Sequence, residues 1–367
     1  MLRVMTIVGT RPEIIRLSRI LPKLDQNFNH FLLHTGQNSD HELNDIFFEQ
    51  LELRMPDVQL SAAGDTPAET IGRTLIAVDK ELERIKPQAV LILGDTNSAL
   101  AAISAKRRGI TVFHMEAGNR CFDENVPEEI NRRIVDHISD YNLPYSRIAR
   151  ENLLREGIPS NRIIRTGSPL REVLEYYANA IQRSTVLETL KLHQGNYYLV
   201  SAHRQENVDN PARLGKLVEV LKSLAEHDDI PIIFSTHPRT RKRLEKTKTS
   251  LPPSVHLYKP FGFLDYVKLQ VNSRTVLSDS GTITEESSIL GFSALNLRDT
   301  HERPEGMEEA AVMMVGLEVE RVLQGLKLLK EASSAPPSVD DYQSAIISDK
   351  IVRLIFSHAG QPSNLDA

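Results

Sequence analysis

The chain alternates short apolar runs with longer amphipathic segments over most of its length. RVMTIV, AVLIL and TVFHM are β-branched runs that end in small or polar residues, and each precedes a segment whose apolar residues have helical spacing. This alternation is typical of a parallel sheet that helices cover on both faces. We therefore expect an α/β fold built from doubly wound sheets.

The alternation occurs in two series, which a polar and weakly patterned stretch near residues 184–196 separates. A chain of 367 residues is also too long for one ordinary core, at roughly 150 residues per domain. We expect two Rossmann-like domains, residues 1–183 and 184–339, facing a cleft. A last amphipathic helix is expected over residues 340–356, after the linker ASSAPPS.

Composition restricts the partners and the compartment. A formal net charge of -5 gives no electrostatic reason to expect nucleic acid or an acidic membrane surface as a partner. Cys121 is the only cysteine, which excludes an intrachain disulfide and a cysteine-rich zinc site. No apolar run is long enough for a signal peptide core or a membrane span, so we expect a cytoplasmic protein.

The residues that directly follow the apolar runs are the first candidates for a site, because open α/β sheets bind ligands at the carboxyl ends of their strands. Arg11 lies in GTRPE after the first run and can complete an anion site at a helix start. The alternative is a plain helix start with a solvent-facing arginine. Asp95 directly follows AVLIL. It is a candidate for the chemistry of the site, and the alternative is that it only caps the next helix.

Further acidic residues follow the next apolar run. Glu116 comes directly after TVFHM, and Glu128 and Glu129 open the following helix, which also contains Arg132. Glutamates in a first helical turn can be mere partners of the helix dipole. Carboxylates crowded at one sheet edge beside arginines favour acid–base chemistry, because such crowding separates their pKa values.

The second series places two histidines after successive runs. His203 follows YYLVSA, and His237 follows PIIFST. Such a pair can bind phosphate or donate a proton, although a lone histidine is usually unremarkable. Arg303 lies in the loop 298–306, which is too rich in ionisable groups to be an idle connector.

The strongest local signal is a turn that leads into a helix. Ser280 and the amides of Gly281 and Thr282 fit phosphate oxygens at a helix start, and Glu286, one turn later, reaches a ribose diol. The alternative is a capping turn followed by a solvated pair, Glu285 and Glu286.

The motifs together resemble those of a known family. GTRPE, GDTNS, HMEAG, PEEINR, SAHRQEN, SDSGT and RDTHERPE occur in the order and spacing of the non-hydrolysing UDP-N-acetylglucosamine 2-epimerases, from about residue 3 to residue 330. The resemblance implies a GT-B-type fold, a homodimer and a UDP site mainly in the second domain. It also implies that the C-terminal helix, within residues 340–358, packs back on the first domain.

The resemblance carries roles to individual positions. It implies that the catalytic residues are Asp95, Glu116, Glu128 and His203. It implies that the residues binding UDP or the sugar are Arg11, Arg16, Arg132, His237, Ser280, Gly281, Thr282, Glu286 and Arg303, with His203 also on UDP. Arg16 stands where many members have lysine, Thr282 replaces a second glycine, and TGQNSD differs from the usual stretch near an allosteric sugar site.

The implied activity is inversion at carbon 2 of a UDP-activated 2-acetamido sugar, without NAD, another cofactor or a metal. FHMEAGNRCFDENVPEEINR and RDTHERPEGMEEA look closest to the branch that converts UDP-2-acetamido-2,6-dideoxy-L-talose to UDP-N-acetyl-L-fucosamine for capsule or O-antigen. The open alternatives are a UDP-N-acetylglucosamine/UDP-N-acetylmannosamine 2-epimerase, a hydrolysing epimerase, a GT-B glycosyltransferase and a nucleotide-sugar sensor.

Overall fold

The computed structural model describes residues 1–37, 47–124, 126–247, 249–300, 303–332 and 336–360, without the side chain of Gln205. Parts of four segments discussed above lie outside the described residues: TGQNSD, the linker ASSAPPS, Asn125 of FHMEAGNRCFDENVPEEINR, and His301 and Glu302 of the loop 298–306.

The chain forms two compact units. The first comprises Met1–Glu175 with Asp341–Ala367, and the second comprises Tyr176–Asp340. The unit boundary lies inside the helix Leu170–Arg183, and the division expected after residue 183 falls at the end of that helix.

The first unit contains a parallel sheet of six strands in the order β3-β2-β1-β4-β5-β6. Its strands are β1 (Arg3–Val8), β2 (Asn29–His34), β3 (Val58–Gln59), β4 (Ala89–Leu93), β5 (Thr111–Met115) and β6 (Tyr141–Leu143). This is the doubly wound order of Rossmann-type sheets. Every residue of β4 is buried, which explains why AVLIL is apolar throughout and does not alternate.

The second unit contains another parallel sheet of six strands, in the order β12-β11-β10-β7-β8-β9. Its strands are β7 (Tyr198–Ser201), β8 (Ile232–Ser235), β9 (Val255–Tyr258), β10 (Thr275–Ser278), β11 (Ala294–Asn296) and β12 (Met313–Met314). Successive residues of β7 belong to different apolar clusters: Tyr198 and Val200 pack in one, and Leu199 packs in the other. This sheet is therefore covered on both faces.

Helices connect the strands of each unit. Those up to the unit boundary are α1 (Arg11–Leu17), α2 (Ile20–Asn27), α3 (Pro67–Ile85), α4 (Ala102–Arg107), α5 (Pro127–Ile138), α6 (Arg147–Arg155) and α7 (Leu170–Arg183). The following ones are α8 (Val186–Thr189), α9 (Gln205–Val208), α10 (Pro211–His227), α11 (Pro238–Lys246), α12 (Phe263–Asn272), α13 (Ile283–Leu290), α14 (Pro304–Glu308), α15 (Val319–Glu331) and α16 (Ser348–His358). Short 3₁₀ turns cover Asn97–Ala101, Ser160–Arg162 and Asp340–Tyr342.

Capping residues begin several of these helices. The Thr66 hydroxyl accepts from the Glu69 amide at 3.1 Å before α3, and the Asn210 side chain accepts from the Ala212 amide at 2.9 Å before α10. A proline follows each cap at the first helical position, where its missing N–H costs nothing.

The β-branched residues of RIIRTG also predict a strand, and the apolar spacing of EIIRLSRILPKL predicts a helix; the structure forms neither as one continuous element. RIIRTG is not a strand, because Ile163 makes only an isolated bridge to Asn142. EIIRLSRILPKL forms two helices and not one, since the Ser18 amide bonds to the Ile15 carbonyl in a tight turn that ends α1.

The last helix begins later than expected. Residues 340–342 form a 3₁₀ turn, and α16 starts at Ser348. The Glu172 carboxylate accepts from the backbone amides of Ile347 and Ser348, each at 2.8 Å, and thereby caps this start. The helix packs on α2 within the first unit, where Lys23 Nζ lies 2.9 Å from Asp349 Oδ1.

Candidate active site

Three of the predicted segments follow neighbouring strands at one edge of the first sheet. β1, β4 and β5 lie side by side and run parallel, so the GTRPE turn, Asp95 and Glu116 emerge at the same edge. Gly9 lies so close to Ser98 and Thr35 that a Cβ atom there would collide with both side chains. Glycine is thus required where the first turn meets the second.

The Asp95 carboxylate is held by a buried arginine. Arg132 Nη2 lies 2.6 Å and Arg132 Nε 2.9 Å from Asp95 Oδ2, and only 2% of the Arg132 side chain is exposed. Asn131 of the same helix, α5, donates to the Asp95 backbone carbonyl at 2.9 Å. Asp95 therefore has a structural anchor in addition to its position at a strand end, and its carboxylate is paired with a cation.

Glu116 occupies a strained backbone conformation. Its φ is 65°, in the left-handed region that a residue with a side chain rarely adopts, and such strain concentrates at functional sites. Its Oε2 lies 3.6 Å from Arg16 Nε, and Asn119 Nδ2 donates to Oε1 at 3.4 Å. Arg16 is itself buried, with its guanidinium 5.6 Å from the centre of the Tyr145 ring.

Glu128 and Glu129 have different environments although they are adjacent in the first turn of α5. Glu128 is half-buried, whereas Glu129 is fully buried. The Glu129 carboxylate accepts from the Cys121 amide at 3.1 Å and pairs with Arg132 Nη1 at 3.0 Å. Glu129 is thus the structural member of the pair, and Glu128 is left as the candidate for chemistry.

Glu13 is a buried carboxyl that bridges the first two turns. It accepts from the amides of Gly9 and Thr10 at 2.5 and 3.1 Å, and the Thr96 hydroxyl lies 2.7 Å from its other oxygen. Burial raises the pKa of Glu13 from 4.5 to about 7, against the lowering effect of these hydrogen bonds. The fold therefore favours the neutral form.

Replacing Glu13 by glutamine should remove part of the pH dependence of stability. A carboxyl whose folded pKa is raised stabilises the fold below its unfolded pKa, and this contribution is lost as pH rises through about 7. We expect the wild-type free energy of unfolding to fall between about pH 5 and pH 8, and to fall less in E13Q. Urea unfolding at pH 5 and at pH 8 measures the two free energies. Glu83→Gln is the control, because the Glu83 side chain is 70% exposed. Equal pH dependence in E13Q and E83Q would contradict the assignment.

In the second unit, a buried aspartate orders the turn that carries His203. Asp279 is fully buried at the end of β10, which pairs with β7. Its carboxylate accepts from the amides of His203 and Arg204 at 3.0 Å and from Asn207 Nδ2 at 3.1 Å. His203 Nδ1 lies 3.4 Å from Asp279 Oδ1, so the imidazole is oriented by the same carboxylate.

The Ser280 turn begins α13. The Ser280 hydroxyl lies 3.0 Å from the Thr282 hydroxyl and accepts from the Thr282 amide at 3.3 Å, which is the geometry of a local capping turn. A hydroxyl and successive amides at a helix start also suit an anion. Capping and anion binding are therefore compatible at this turn.

The expected alternative of a solvated glutamate pair is wrong. Glu285 is fully buried, with Arg303 Nη2 3.9 Å from its Oε2, and Arg303 is itself buried. The Gln270 amide donates to Glu286 Oε2 at 2.6 Å, and Gln270 is only 1% exposed. A buried amide thus orients the carboxylate that was predicted to bind a ribose.

The two histidines predicted at successive strand ends do lie near each other. The ring centres of His203 and His237 are 6.4 Å apart. His237 also caps α11, where its Nδ1 accepts from the Arg239 amide at 3.3 Å. The second unit therefore gathers His203, His237 and the Ser280 turn at the carboxyl edge of its sheet.

A family model described as UDP-N-acetylglucosamine 2-epimerase matches residues 22–356. The match begins after Arg11 and Arg16 and includes every other candidate residue named above. The chain belongs to this epimerase family. It is accordingly an isomerase, and the predicted two-domain α/β fold is confirmed by the family's solved structures.

Individual relatives cover nearly the whole chain. The structure of UDP-N-acetylglucosamine 2-epimerase from Rickettsia bellii has a TM-score of 0.91 and 46% identity, covering 98% of this chain and 97% of that one. The Methanocaldococcus jannaschii UDP-GlcNAc 2-epimerase, in complex with UDP-GlcNAc and UDP, has a TM-score of 0.91 and 35% identity, covering 97% and 100%. UDP-2,3-diacetamido-2,3-dideoxy-D-glucuronate 2-epimerase from Pseudomonas aeruginosa is 33% identical over 331 residues, 89% of this chain and 92% of that one. The epimerase family therefore includes enzymes for different UDP-linked sugars.

The sequence does not assign a specific role to several carboxyl groups of this candidate site. Glu13, Glu129, Asp136 and Asp279 are buried carboxyl groups that hold the backbone or the cations of the site. Two of them have a sequence signal: Asp279 directly follows the strand that precedes Ser280, and Glu129 is adjacent to Glu128. Among the residues that the structure describes, no helix combines the length and the apolar character needed to span a bilayer.

Proposed function

We propose that the chain inverts carbon 2 of a UDP-linked 2-acetamido sugar by eliminating UDP and adding it back. The proton on carbon 2 is not next to a carbonyl group, so its removal has to be coupled to departure of UDP from carbon 1. The product of that step is a glycal-like intermediate, which regains UDP after a proton returns to the opposite face. This route needs no NAD, because the intermediate forms by loss of a proton and of UDP and no step transfers a hydride.

One observation carries the proposal: two carboxylates at adjacent strand ends each lie beside a buried arginine. Asp95 is paired with Arg132, and Glu116 lies near Arg16. A carboxylate can accept a proton, which is the requirement for a general base, and the arginines fix where these two carboxylates lie. With Glu128, they would divide the acid and base steps on the two faces of the ring.

The second unit would hold the nucleotide. In this proposal the Ser280 hydroxyl and the amides of Gly281 and Thr282 bind the diphosphate, and Glu286 binds the ribose diol with Gln270 fixing its carboxylate. His203 would stabilise the charge on the departing phosphate, as would Arg11 of the first unit. His237 and Arg303, both of the second unit, would also contact the UDP-sugar. The UDP-GlcNAc and UDP complex of the Methanocaldococcus jannaschii relative supports a nucleotide-sugar site in this family.

For the sugar itself, we propose UDP-2-acetamido-2,6-dideoxy-L-talose, converted to UDP-N-acetyl-L-fucosamine for capsule or O-antigen. The support is the likeness of the strings around Glu116 and Arg303 to that branch. A second candidate is UDP-N-acetylglucosamine with UDP-N-acetylmannosamine as product. It is favoured by the likeness to the Rickettsia bellii and Methanocaldococcus jannaschii enzymes.

A substrate comparison tests the proposed function. Purified protein is incubated with each of the two UDP-sugars, without NAD and without a sugar acceptor, and the products are followed by proton NMR. We expect the 2-epimer, still joined to UDP, from the L-talo substrate and little or none from UDP-N-acetylglucosamine. The reverse preference would support the second candidate. Release of a free sugar would indicate a hydrolysing epimerase, and no reaction with either would favour a transferase or a sensor.

The proposed enzyme is also expected to act as a homodimer. Ile130 and Ile134 are 51% and 38% exposed and lie one turn apart on α5, the helix that carries Glu128 and Arg132. We propose that a second copy of the chain covers these two side chains.

A further inference from the structure

His114 is a buried histidine, the first residue of the motif HMEAG, and neither the sequence analysis nor the proposed chemistry gives it a role. It is the next-to-last residue of β5, and its side chain is fully inaccessible to solvent. Its Nε2 lies 2.8 Å from the Gly94 carbonyl oxygen, and its Nδ1 lies 2.9 Å from Asp136 Oδ1. Since a carbonyl oxygen can only accept, Nε2 carries a proton and donates it to Gly94.

The partners of His114 favour its protonated form. Burial by itself would lower the pKa of His114, but the neighbouring Asp136 carboxylate and the Gly94 carbonyl raise it overall. Burial would raise the pKa of Asp136, but His114 and Arg120 lower it overall. Arg120 Nη1 lies 2.7 Å from Asp136 Oδ2. The same guanidinium donates from Nη2 and Nε to the two carboxylate oxygens of Glu156, at 2.5 and 2.7 Å. The result is a chain of alternating charges inside the first unit.

Two members of this chain, His114 and Asp136, reach backbone next to the proposed acid–base groups. Gly94 directly precedes Asp95. Asp136 accepts from the Gly118 amide at 3.2 Å, and Gly118 follows Glu116 by two residues. The Gly118 φ is 81°, and a Cβ atom at this position would collide with the Ala149 carbonyl. The loop that begins with the strained Glu116 is therefore held in place by Asp136, and Asp136 by His114.

We propose that His114 is a positioning residue that fixes Asp95 and Glu116 relative to each other, through the Gly94 carbonyl on one side and Asp136 on the other. The inference rests on the proposed function, because it assumes that these two carboxylates act on the sugar. Misplacing a catalytic group by about 1 Å can cost about a hundredfold in rate. Such a loss should fall on kcat, since His114 belongs to the first unit and the proposed nucleotide residues belong mainly to the second.

The test compares two buried histidines of the same unit. His114→Gln is expected to lower kcat by about tenfold or more, with KM and the dissociation constant of UDP changed by less than about threefold. His30→Gln is the matched control, because the His30 side chain is also fully buried. Its Nδ1 lies 2.6 Å from Asp25 and its Nε2 lies 2.9 Å from Thr6. His30 is the second residue of β2, at the end of the strand opposite to the carboxyl edge of the sheet, so H30Q should keep its kcat.

A second readout does not depend on activity. Hydrogen–deuterium exchange of the segment 116–120 should be faster in H114Q than in wild type and unchanged in H30Q. Equal kcat in H114Q and H30Q, or unchanged exchange of this segment in H114Q, would overturn the inference. If H114Q gives no folded protein, Asp136→Asn takes its place with the same expected losses, and wild-type kcat with wild-type exchange in D136N would overturn it. A wild-type protein without epimerase activity would instead refute the proposed function, while the exchange experiment would still decide the positioning role.

Discussion

Asparagine in place of Asp95 is expected to reduce kcat by about a hundredfold or more while the dissociation constant of UDP stays within about threefold. The amide cannot take up a proton, yet its oxygen can still accept from Arg132, which lies 2.6 Å from the carboxylate in the wild-type protein. The fold around residue 95 should therefore survive, because Asn131 also holds its carbonyl. Steady-state kinetics with the preferred UDP-sugar and titration calorimetry with UDP measure the two quantities.

The control for this variant is Asp79→Asn. Asp79 also pairs with an arginine, Arg108, at 2.5 Å, but its side chain is 43% exposed on the surface of α3. D79N should keep kcat within about twofold of wild type, because losing an exposed ion pair costs little. Turnover by D95N at the level of D79N would remove Asp95 from the mechanism.

Methionine in place of Arg120 is expected to lower the free energy of unfolding by about 3–5 kcal/mol. The Arg120 and Asp136 side chains are both fully buried, and removing the guanidinium leaves Asp136 without one of its two cationic partners. Methionine keeps most of the side-chain volume, so the loss reports the buried charge more than a cavity. Chemical unfolding followed by circular dichroism measures the change.

Arg155→Met provides the comparison for Arg120. Arg155 lies 3.1 Å from Glu151, but these side chains are 74% and 55% exposed. A surface pair of this kind contributes about 0–1 kcal/mol, so R155M should lose little. Similar losses in R120M and R155M would show that burial of the Arg120 network does not matter to stability.

Much of the sheet architecture could be predicted from the sequence because buried parallel strands are continuous apolar runs. RVMTIV, AVLIL and TVFHM correspond to β1, β4 and β5 with the same bounds. The sequence does not predict β3 and β12, because a strand of two residues is too short to show an apolar pattern. RIIRTG has the composition of a strand, but only Ile163 reaches a neighbour, and composition cannot report whether pairing continues.

The sequence predicts which segments form the candidate site, but it does not predict which side chain of each segment faces the site. Glu128 and Glu129 look equivalent in the sequence, yet successive helical residues point about 100° apart, so only one of them can face the core. The rotation of α5 that buries Glu129 is set by its packing in the folded unit. The role of Glu13 is also not visible in the sequence, because it depends on contacts with Gly9 and Thr96, and Thr96 lies 83 residues away in the chain.

The central claim is that carbon 2 loses its proton while UDP departs from carbon 1. Incubating the wild-type protein with its UDP-sugar in deuterated water and locating the isotope by NMR tests this claim most directly. The account predicts deuterium at carbon 2 of the product, with the sugar still joined to UDP and no deuterium at carbons 1 or 3. Inversion that keeps the original hydrogen at carbon 2 would contradict it.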